Sequence, residues 1–416
     1  MTHEQRLKAL KQSAQSLRRA SNETKNEALK AAAKLLKARM AEVLDANLRD
    51  LTDLKPDATN AFKDRLTLNA ARVHQMIDSL GQVAAFGDPV DEEVESRTLK
   101  NGLRVRRVRA PLGVILMIFE SRPNVAVESW SLAFKSGNAL ILKGGKESMQ
   151  TTSVLYQILT EAMTSVGLPA DCLWGITDPD RALTESLLQQ SRYIDVVVPR
   201  GGDSLIEFVV KNSRIPVIKN DRGLCHVYVH QDADLDMAAR VVVNAKCQRP
   251  GVCNSMESLL VDEEIASRFL PRLYDQMLSY KVNWYGCAKT LAILKDRPLL
   301  WPANQQSYDT EYLDLRMNCK VVSSSDKAIE HIEEHGSRHS ESIITRTESV
   351  ARDFQARVDA AAVYWNASTR FTDGYELGLG GELGISTQKL HVRGPVGLRE
   401  LTSVRWIIDG DGQIRS

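Results

Sequence analysis

From residue 111 onward, short apolar runs alternate with stretches of helical periodicity, and this alternation constrains the fold more than any other feature. The apolar runs read GVILMIF, NALILKGG, DCLWGIT, YIDVVVPRGG, IPVI and CHVYV. Short apolar strands joined by crossover helices predict an α/β fold with a parallel sheet covered on both faces. Sites in such sheets lie beyond the carboxyl ends of the strands. Functional residues are therefore expected in the loops that follow these strands.

The length and charge of the chain narrow its class. A chain of 416 residues predicts two or three domains. Because 54 Lys plus Arg balance 53 Asp plus Glu, no overall charge recruits nucleic acid or an anionic membrane. No stretch approaches the roughly 20 apolar residues that span a bilayer, and the first residues lack the apolar segment of a signal peptide. We expect neither a nucleic-acid partner nor a membrane partner.

The six cysteines are scattered along the chain, with no CxxC pair and no histidines at metal-ligand spacing. This pattern predicts no metal site. Free thiols in a long chain are typical of a reducing compartment. The cytoplasm is the expected location.

Two segments before residue 111 have a different pattern. The first fifty residues and a stretch near residue 75 have helical periodicity. Asn101-Gly102 then separates two runs of alternating character, which predicts a β-hairpin. Four arginines lie on the second run, at positions 104, 106, 107 and 109. These charges favour a ribbon that is not buried on both faces, such as an arm.

Two loops that follow predicted strands contain glycine pairs. The sequences are LILKGGKES and VVVPRGGDS. Glycines at a helix start let a phosphate approach backbone N–H groups, although a tight strand-to-helix turn explains either loop alone. Two such loops together favour a dinucleotide, and two lysines with no acid before Glu147 favour NADPH over NADH. The cofactor residues that these loops predict are Lys143, Gly144, Lys146, Gly201, Gly202 and Ser204.

The segment NAKCQRPGVCNSMESLLV contains two cysteines, and only one has the surroundings of a nucleophile. Cys253 follows the turn-forming residues QRPG, which include Arg249. A reactive cysteine needs nearby positive charge or backbone donors, together with exposure to a cleft. Cys247 ends a helical stretch, where a sulfur usually packs in the core. A packing role remains the alternative for Cys253 as well.

Seven blocks along the chain resemble the gamma-glutamyl phosphate reductase family of the aldehyde dehydrogenase superfamily. They are PLGVILMIFESRPNV, KSGNALILKGGKE, IDVVVPRGG, QRPGVCN, HGSRHSESIIT, NASTRFTDG and STQKLHVRGP. The resemblance implies two Rossmann-like α/β domains and a strand-built oligomerisation arm. The expected divisions are an NADPH-binding domain of residues 1–91 and 110–224, a catalytic domain of 225–385, and an arm of 92–109 and 386–416.

The resemblance also implies the chemistry. Cys253 would attack L-glutamyl 5-phosphate, and hydride from NADPH would convert the thioester to L-glutamate 5-semialdehyde, the second step of proline biosynthesis. Ser121 and Asn124 are the candidates for stabilising the carbonyl oxygen, with a helix N-cap as the alternative role of Asn124. Aldehyde oxidisers carry a glutamate base where this chain has Lys219, Asn220 and Asp221. The absence of this glutamate base fits an enzyme whose thioester exchanges with phosphate and is protected from water, although Asp221 remains an alternative base.

Further site residues follow from the same resemblance. Glu311 matches the glutamate that holds the nicotinamide ribose, and an exposed acid at a strand edge is the alternative. The carboxylate and phosphate of the substrate call for forked donors. The candidates are Arg122, Arg249, Asn366 and Arg370. The block QKLHVRGP leaves open a substrate or an interface role for Lys389, His391 and Arg393.

The resemblance implies partners and leaves two alternative functions. The arm implies a homo-oligomer, a dimer or tetramer, in which one subunit's strand pairs with the other's sheet. Glutamate 5-kinase, which makes the acyl phosphate, is a further expected partner. The alternatives are another acyl reductase or hydrolytic enzyme of the superfamily, and an inactive nucleotide-binding homologue.

Overall fold

The structure is a computed structural model that describes residues 2–219 and 222–415. The chain divides into two compact units. Unit 1 comprises residues 2–219, 378–384 and 396–415, and unit 2 comprises 222–377 and 385–395. The division into a cofactor domain, a catalytic domain and an arm remains a prediction.

Within its described residues, unit 1 contains nine α-helices. Several begin with a side-chain cap; in α1 the Thr2 hydroxyl accepts the N–H of Gln5, whose side chain accepts the N–H of Thr2, as in a capping box. The helices are α1 (His3–Arg19), α2 (Asn22–Ala38), α3 (Met40–Thr52), α4 (Asn60–Leu66), α5 (Ala70–Ala85), α6 (Asn124–Lys135), α7 (Met149–Ser165), α8 (Arg181–Leu188) and α9 (Asp203–Asn212).

The described part of unit 1 contains two sheets. The three-stranded antiparallel sheet has the order β1-β2-β16 and consists of β1 (Glu93–Thr98), β2 (Arg104–Pro111) and β16 (Thr402–Asp409). The four-stranded parallel sheet has the order β5-β4-β3-β6 and consists of β3 (Val114–Phe119), β4 (Ala139–Lys143), β5 (Leu173–Ile176) and β6 (Val196–Arg200). Every residue of β3 and β4 is buried, as expected of central strands covered on both faces.

Unit 2 is built on a seven-stranded parallel sheet of order β10-β9-β11-β8-β7-β12-β13. Its strands are β7 (Cys225–Val229), β8 (Met256–Asp262), β9 (Asn283–Gly286), β10 (Leu300–Pro302), β11 (Arg316–Val322), β12 (Ser340–Ile344) and β13 (Ala362–Trp365). Two short strands, β14 (Ile385–Ser386) and β15 (Gly394–Pro395), pair antiparallel. The helices are α10 (Leu235–Cys247), α11 (Glu263–Leu278), α12 (Ala288–Ile293), α13 (Gln305–Tyr308), α14 (Ser325–His335) and α15 (Glu348–Arg357).

The predicted α/β fold with parallel sheets is confirmed, and so is the hairpin at Asn101-Gly102. Gly102 has φ +88°, a left-handed conformation that glycine adopts without strain. The prediction of a strand at the run IPVI is wrong. In the structure, Val217 alone of this run forms a bridge, an isolated one with Val197 of β6. Pro216 lacks the N–H that a further ladder bond needs. Within the described residues, no helix combines the length and apolarity needed to cross a membrane.

Candidate active site

Cys253 lies in unit 2, in the segment that joins α10 to β8, and is half-buried. Its backbone carbonyl is held from two sides. The Cys225 thiol donates to this carbonyl oxygen over 3.2 Å. Gly223 packs so closely that a Cβ atom there would lie 1.6 Å from the same oxygen. The position of the Cys253 backbone is therefore set by β7 and by the residues that precede it.

Two of the predicted substrate arginines are found here: Arg249 is part of this segment, and Arg370 lies close to it. Burial, and then the nearby Arg249, lower the pKa of Arg370. Cys253 acts on the same guanidinium in the opposite direction, so the sulfur and the cation are within electrostatic reach. Arg370 Nε also donates to Gln248 Oε1 over 2.9 Å. Positive charge next to a cysteine favours its thiolate form.

Asn254, which the sequence did not single out, anchors the cysteine segment. It is buried, and its Nδ2 donates to the carbonyl of Thr372 over 2.8 Å. Its own carbonyl accepts the Thr369 hydroxyl over 2.7 Å, and its Oδ1 accepts the Arg370 guanidinium. Asn254 thus links the backbone next to Cys253 to Arg370 and to the segment around Thr369 and Thr372. The adjacency of Asn254 to the cysteine was the only signal available.

Cys247 packs against the core of unit 2, and burial raises the pKa of its thiol to about 11. Both observations favour a packing role. Cys287 packs against the same core and is half-buried. Burial opposes its ionisation, but bonds from the Thr290 hydroxyl and the Val321 N–H outweigh burial and lower the pKa of Cys287. No sequence spacing indicated these donors.

Glu311 lies in the loop before β11 and is half-buried. Its Oε1 accepts the N–H of Gly223 over 2.8 Å, and Gly223 is the residue that contacts the Cys253 carbonyl. The structure therefore connects Glu311 to the backbone of the cysteine. This position differs from the exposed strand-edge acid that was the alternative.

The side-chain amide of Asn366 is bonded to the backbone of Thr345, just after β12. Its Oδ1 accepts the N–H of Thr345 and its Nδ2 donates to the carbonyl of Thr345, each over 3.0 Å. The residue has φ +56°, a conformation that asparagine tolerates better than most residues. A substrate group would have to compete with both bonds.

The glycine loops lie in unit 1, beyond the carboxyl ends of β4 and β6. Lys143 ends β4 and is buried, and burial lowers its pKa despite the nearby Asp178 and Asp180. Lys146 is exposed in a single turn of 3₁₀ helix. The other predicted cofactor residues occupy this edge too: Gly144 after β4, Gly201 and Gly202 before α9, and Ser204 in its first turn.

The Glu120 carboxylate accepts a hydrogen bond from one of the backbone N–H groups that were expected to bind a phosphate. Its Oε2 accepts the N–H of Gly202 over 3.1 Å, and its side chain lies where a Cβ on Gly201 would clash. No motif in the sequence points to this carboxylate. The available signal was its position directly after β3, the neighbour of β6.

The residues proposed for the carbonyl oxygen lie on the turn between β3 and α6. Ser121 is buried. Asn124 is the first residue of α6 and not its cap, which is Pro123; its Nδ2 donates to Glu128 Oε1 over 2.9 Å. Burial raises the pKa of Glu128, and the bond from Asn124 opposes this shift. Arg122, on the same turn, is exposed.

Three remaining predictions concern the base, metals and the QKLHVRGP block. Asn220 and Asp221 lie outside the described residues. Among the residues that are described, no group of His, Cys, Asp and Glu has a metal-binding arrangement. Asp359 forms ion pairs with two of the three named residues of the block, Lys389 over 2.7 Å and Arg393 over 2.8 Å.

Comparisons with known proteins show the family of this chain. Residues 2–285 match the aldehyde dehydrogenase family model. The gamma-glutamyl phosphate reductase of Moorella thermoacetica is 49% identical over 94% of this chain and 93% of its own, and that of Carboxydothermus hydrogenoformans is 47% identical over 98% of both. The crystal structure of the Thermotoga maritima gamma-glutamyl phosphate reductase matches with a TM-score of 0.96 and 42% identity over 99% of both chains.

With its parallel α/β units and cysteine loop, the chain belongs to the aldehyde dehydrogenase family, an oxidoreductase family whose fold binds a nicotinamide cofactor. Within that family it is a member of the gamma-glutamyl phosphate reductases. The resemblance of the seven sequence blocks is confirmed.

Proposed function

We propose that this chain reduces L-glutamyl 5-phosphate to L-glutamate 5-semialdehyde and phosphate, with NADPH as reductant and a thioester on Cys253, as the second step of proline biosynthesis. The observation that carries the proposal is Cys253, half-buried on a fixed backbone and next to Arg370, in a chain 49% identical to a gamma-glutamyl phosphate reductase.

The first half of the reaction forms the thioester. The Cys253 thiolate attacks the acyl carbon, the C–O bond to phosphate breaks, and phosphate leaves with the electron pair. Arg249 and Arg370 stabilise the thiolate and the negative charges of the substrate, because both lie beside the cysteine segment. Arg122 and Asn366 complete the proposed substrate set, although the amide of Asn366 is bonded to Thr345.

The second half of the reaction reduces the thioester and regenerates the Cys253 thiolate. Bound NADPH would supply a hydride to the thioester carbon on Cys253, which would then become a tetrahedral hemithioacetal oxyanion. The C–S bond then breaks, which releases the aldehyde and regenerates the thiolate. Ser121 and Asn124 are the proposed donors to the oxyanion. For Asn124 this role requires that its amide reach the oxyanion while it also donates to Glu128.

The residues of unit 1 fit a phosphorylated cofactor in part. Lys143 and Lys146 supply the cations that NADPH needs at the adenosine ribose, with Gly144, Gly201, Gly202 and Ser204 lining the same sheet edge. Glu311 is the proposed ligand of the nicotinamide ribose. A phosphate at the Gly202 N–H requires Glu120 to move, since that carboxylate holds the donor.

The assembly belongs to the proposal as well. The sheet β1-β2-β16 is the proposed oligomerisation arm, because its strands leave Val404, Trp406 and Ile408 exposed. A homodimer or tetramer would bury such apolar side chains. Glutamate 5-kinase is the proposed source of the acyl phosphate, and the cytoplasm is the proposed compartment.

The test runs the reaction backward, because the acyl phosphate is unstable. Wild-type protein should oxidise glutamate 5-semialdehyde with NADP only when phosphate is present. Cys253→Ala should abolish turnover, whereas Cys247→Ala, the matched control, should retain it. Turnover with coenzyme A or water in place of phosphate would identify another acyl reductase or a hydrolytic enzyme. Undiminished turnover by Cys253→Ala would refute the thioester.

A further inference from the structure

A buried ion pair brackets the segment that carries Cys253. Lys246 Nζ and Glu257 Oε2 lie 2.8 Å apart, and their side chains are 0% and 1% exposed. Lys246 is in the last turn of α10, and Glu257 is the second residue of β8. The cysteine segment, residues 248–255, is the only backbone between these two elements. The pair therefore fixes both ends of the cysteine segment.

Stability alone is a weak reason for this pair. Removing two charges from water is unfavourable, and apolar replacements for a buried ion pair are often neutral or stabilising. The pair is also not a surface contact that solvent would screen, since both side chains are buried. A restraint on geometry is a better explanation, provided that the pair holds something beyond its own two residues.

The second oxygen of Glu257 extends the restraint to the Glu311 loop. Glu257 Oε1 accepts the N–H of Leu313 over 3.2 Å. Leu313 has φ +53°, a left-handed conformation that is unfavourable for a leucine. The Glu257 carboxylate helps to hold that turn, two residues after Glu311. The Leu313 carbonyl also lies 3.4 Å from where a Cβ on Gly251 would stand, so the turn contacts the cysteine segment.

Glu311 completes the connection. Its Oε1 holds the N–H of Gly223, and Gly223 contacts the carbonyl of Cys253. Burial raises the pKa of Glu257 to about 7, and Lys246 acts in the opposite direction. The carboxylate form that accepts from Leu313 thus depends on its lysine partner.

We propose that Lys246 and Glu257 are positioning residues that hold the cysteine segment and the Glu311 turn at one fixed spacing. The inference rests on the proposed function, in which Cys253 is the nucleophile and Glu311 contacts the cofactor. Neither Lys246 nor Glu257 contacts a reacting atom. The pair acts through Leu313, Glu311 and Gly223. It sets the position of the Cys253 thioester relative to the cofactor that Glu311 is proposed to bind.

Two double variants distinguish the effect of the hydrogen-bond acceptor for Leu313 from the effect of the two buried charges. K246M/E257M removes both charges and the acceptor for Leu313, and K246M/E257Q removes the charges but keeps an amide oxygen for Leu313. Both should fold with melting temperatures near that of the wild type, because neither leaves an unpaired buried charge. A displacement on the order of 1 Å lowers kcat by as much as about 100-fold, so K246M/E257M should lose at least about tenfold.

Three readouts distinguish positioning from a merely structural role. K246M/E257Q should recover part of the kcat lost in K246M/E257M, because it restores an acceptor for the Leu313 N–H but not the ion pair, and KM for glutamate semialdehyde should change little in either. The rate at which iodoacetamide alkylates Cys253, followed by mass spectrometry, should differ from wild type in K246M/E257M. Wild-type kcat in folded K246M/E257M, or equal losses in both double variants, would overturn the proposal.

A length swap covers the case in which K246M/E257M does not fold. K246R/E257D keeps the ion pair while drawing the carboxylate away from Leu313, so it should fold and lose kcat. Unchanged kcat in this variant would also overturn the proposal. Cys253→Ala in the same assay tests the proposed function separately. If Cys253→Ala is inactive while K246M/E257M is fully active, only the positioning role fails.

Discussion

Gly223→Ala is the substitution that the structure predicts most sharply. The added Cβ would lie 1.6 Å from the carbonyl oxygen of Cys253, whereas real Cβ atoms keep at least 3.0 Å from such an atom. The two backbones must separate by about 1.4 Å along that direction. Because alanine retains the N–H that Glu311 accepts, the change is steric and leaves the hydrogen bond chemically possible.

The expected effects follow from this displacement. Misplacing a nucleophile by about 1 Å lowers kcat by roughly 100-fold, and inserting a methyl group into a close contact destabilises a protein by about 1–3 kcal/mol. The phosphate-dependent assay measures kcat, and urea denaturation measures the free energy of unfolding. Gly251→Ala is the matched control in the same region, since its Cβ would meet only the Leu313 carbonyl, at 3.4 Å.

The outcome that refutes this reasoning is a Gly223→Ala protein with wild-type kcat. That result would mean that the Cys253 carbonyl does not need its position for turnover. Equal losses in Gly251→Ala would show that any added methyl group disturbs the segment, and the specific contact would then lose its importance.

Three further predictions concern other parts of the molecule. Burial lowers the pKa of His339 to about 4; because the unfolded state protonates first, stability is complete above pH 6.5 and falls by up to about 3 kcal/mol toward pH 4. His339→Gln should flatten this dependence in urea titrations, and an unchanged slope would contradict it. Lys389 and Arg393 lower the pKa of Asp359 to about 2, so Asp359→Asn should speed tryptic cleavage after both residues; wild-type cleavage rates would count against the anchoring. Ile408 is 58% exposed on β16, and Ile408→Asp should reduce the mass measured by light scattering, unless the arm plays no part in assembly.

Much of the fold was predictable because its signals are local. The apolar runs of β3, β4 and β6 are continuous over six, four and three residues, and such runs between helical stretches indicate buried parallel strands. The hairpin followed from Asn101-Gly102 between two runs of alternating character. The run IPVI has the same apolar character, yet the strand failed because Pro216 cannot donate to a ladder.

The site residues were predictable only in part. Arg249 and Arg370 were named for their charge, and the structure places both beside the Cys253 segment. Asn366 was named for its place in a family block, but its amide bonds to Thr345. Glu120 was missed, because a single acid after a strand carries no indication that it will bind Gly202 across the sheet edge.

The order of residues by itself determined the α/β class, the hairpin, the family and the cysteine on which the chemistry is proposed to depend, since each of these follows from periodicity or from short motifs. Tertiary structure alone decided which groups contact that cysteine's backbone. Gly223 and Glu311 are far from Cys253 along the chain, and the Lys246–Glu257 pair is buried in the packed interior of unit 2. Contacts of this kind depend on packing in three dimensions, which periodicity does not encode.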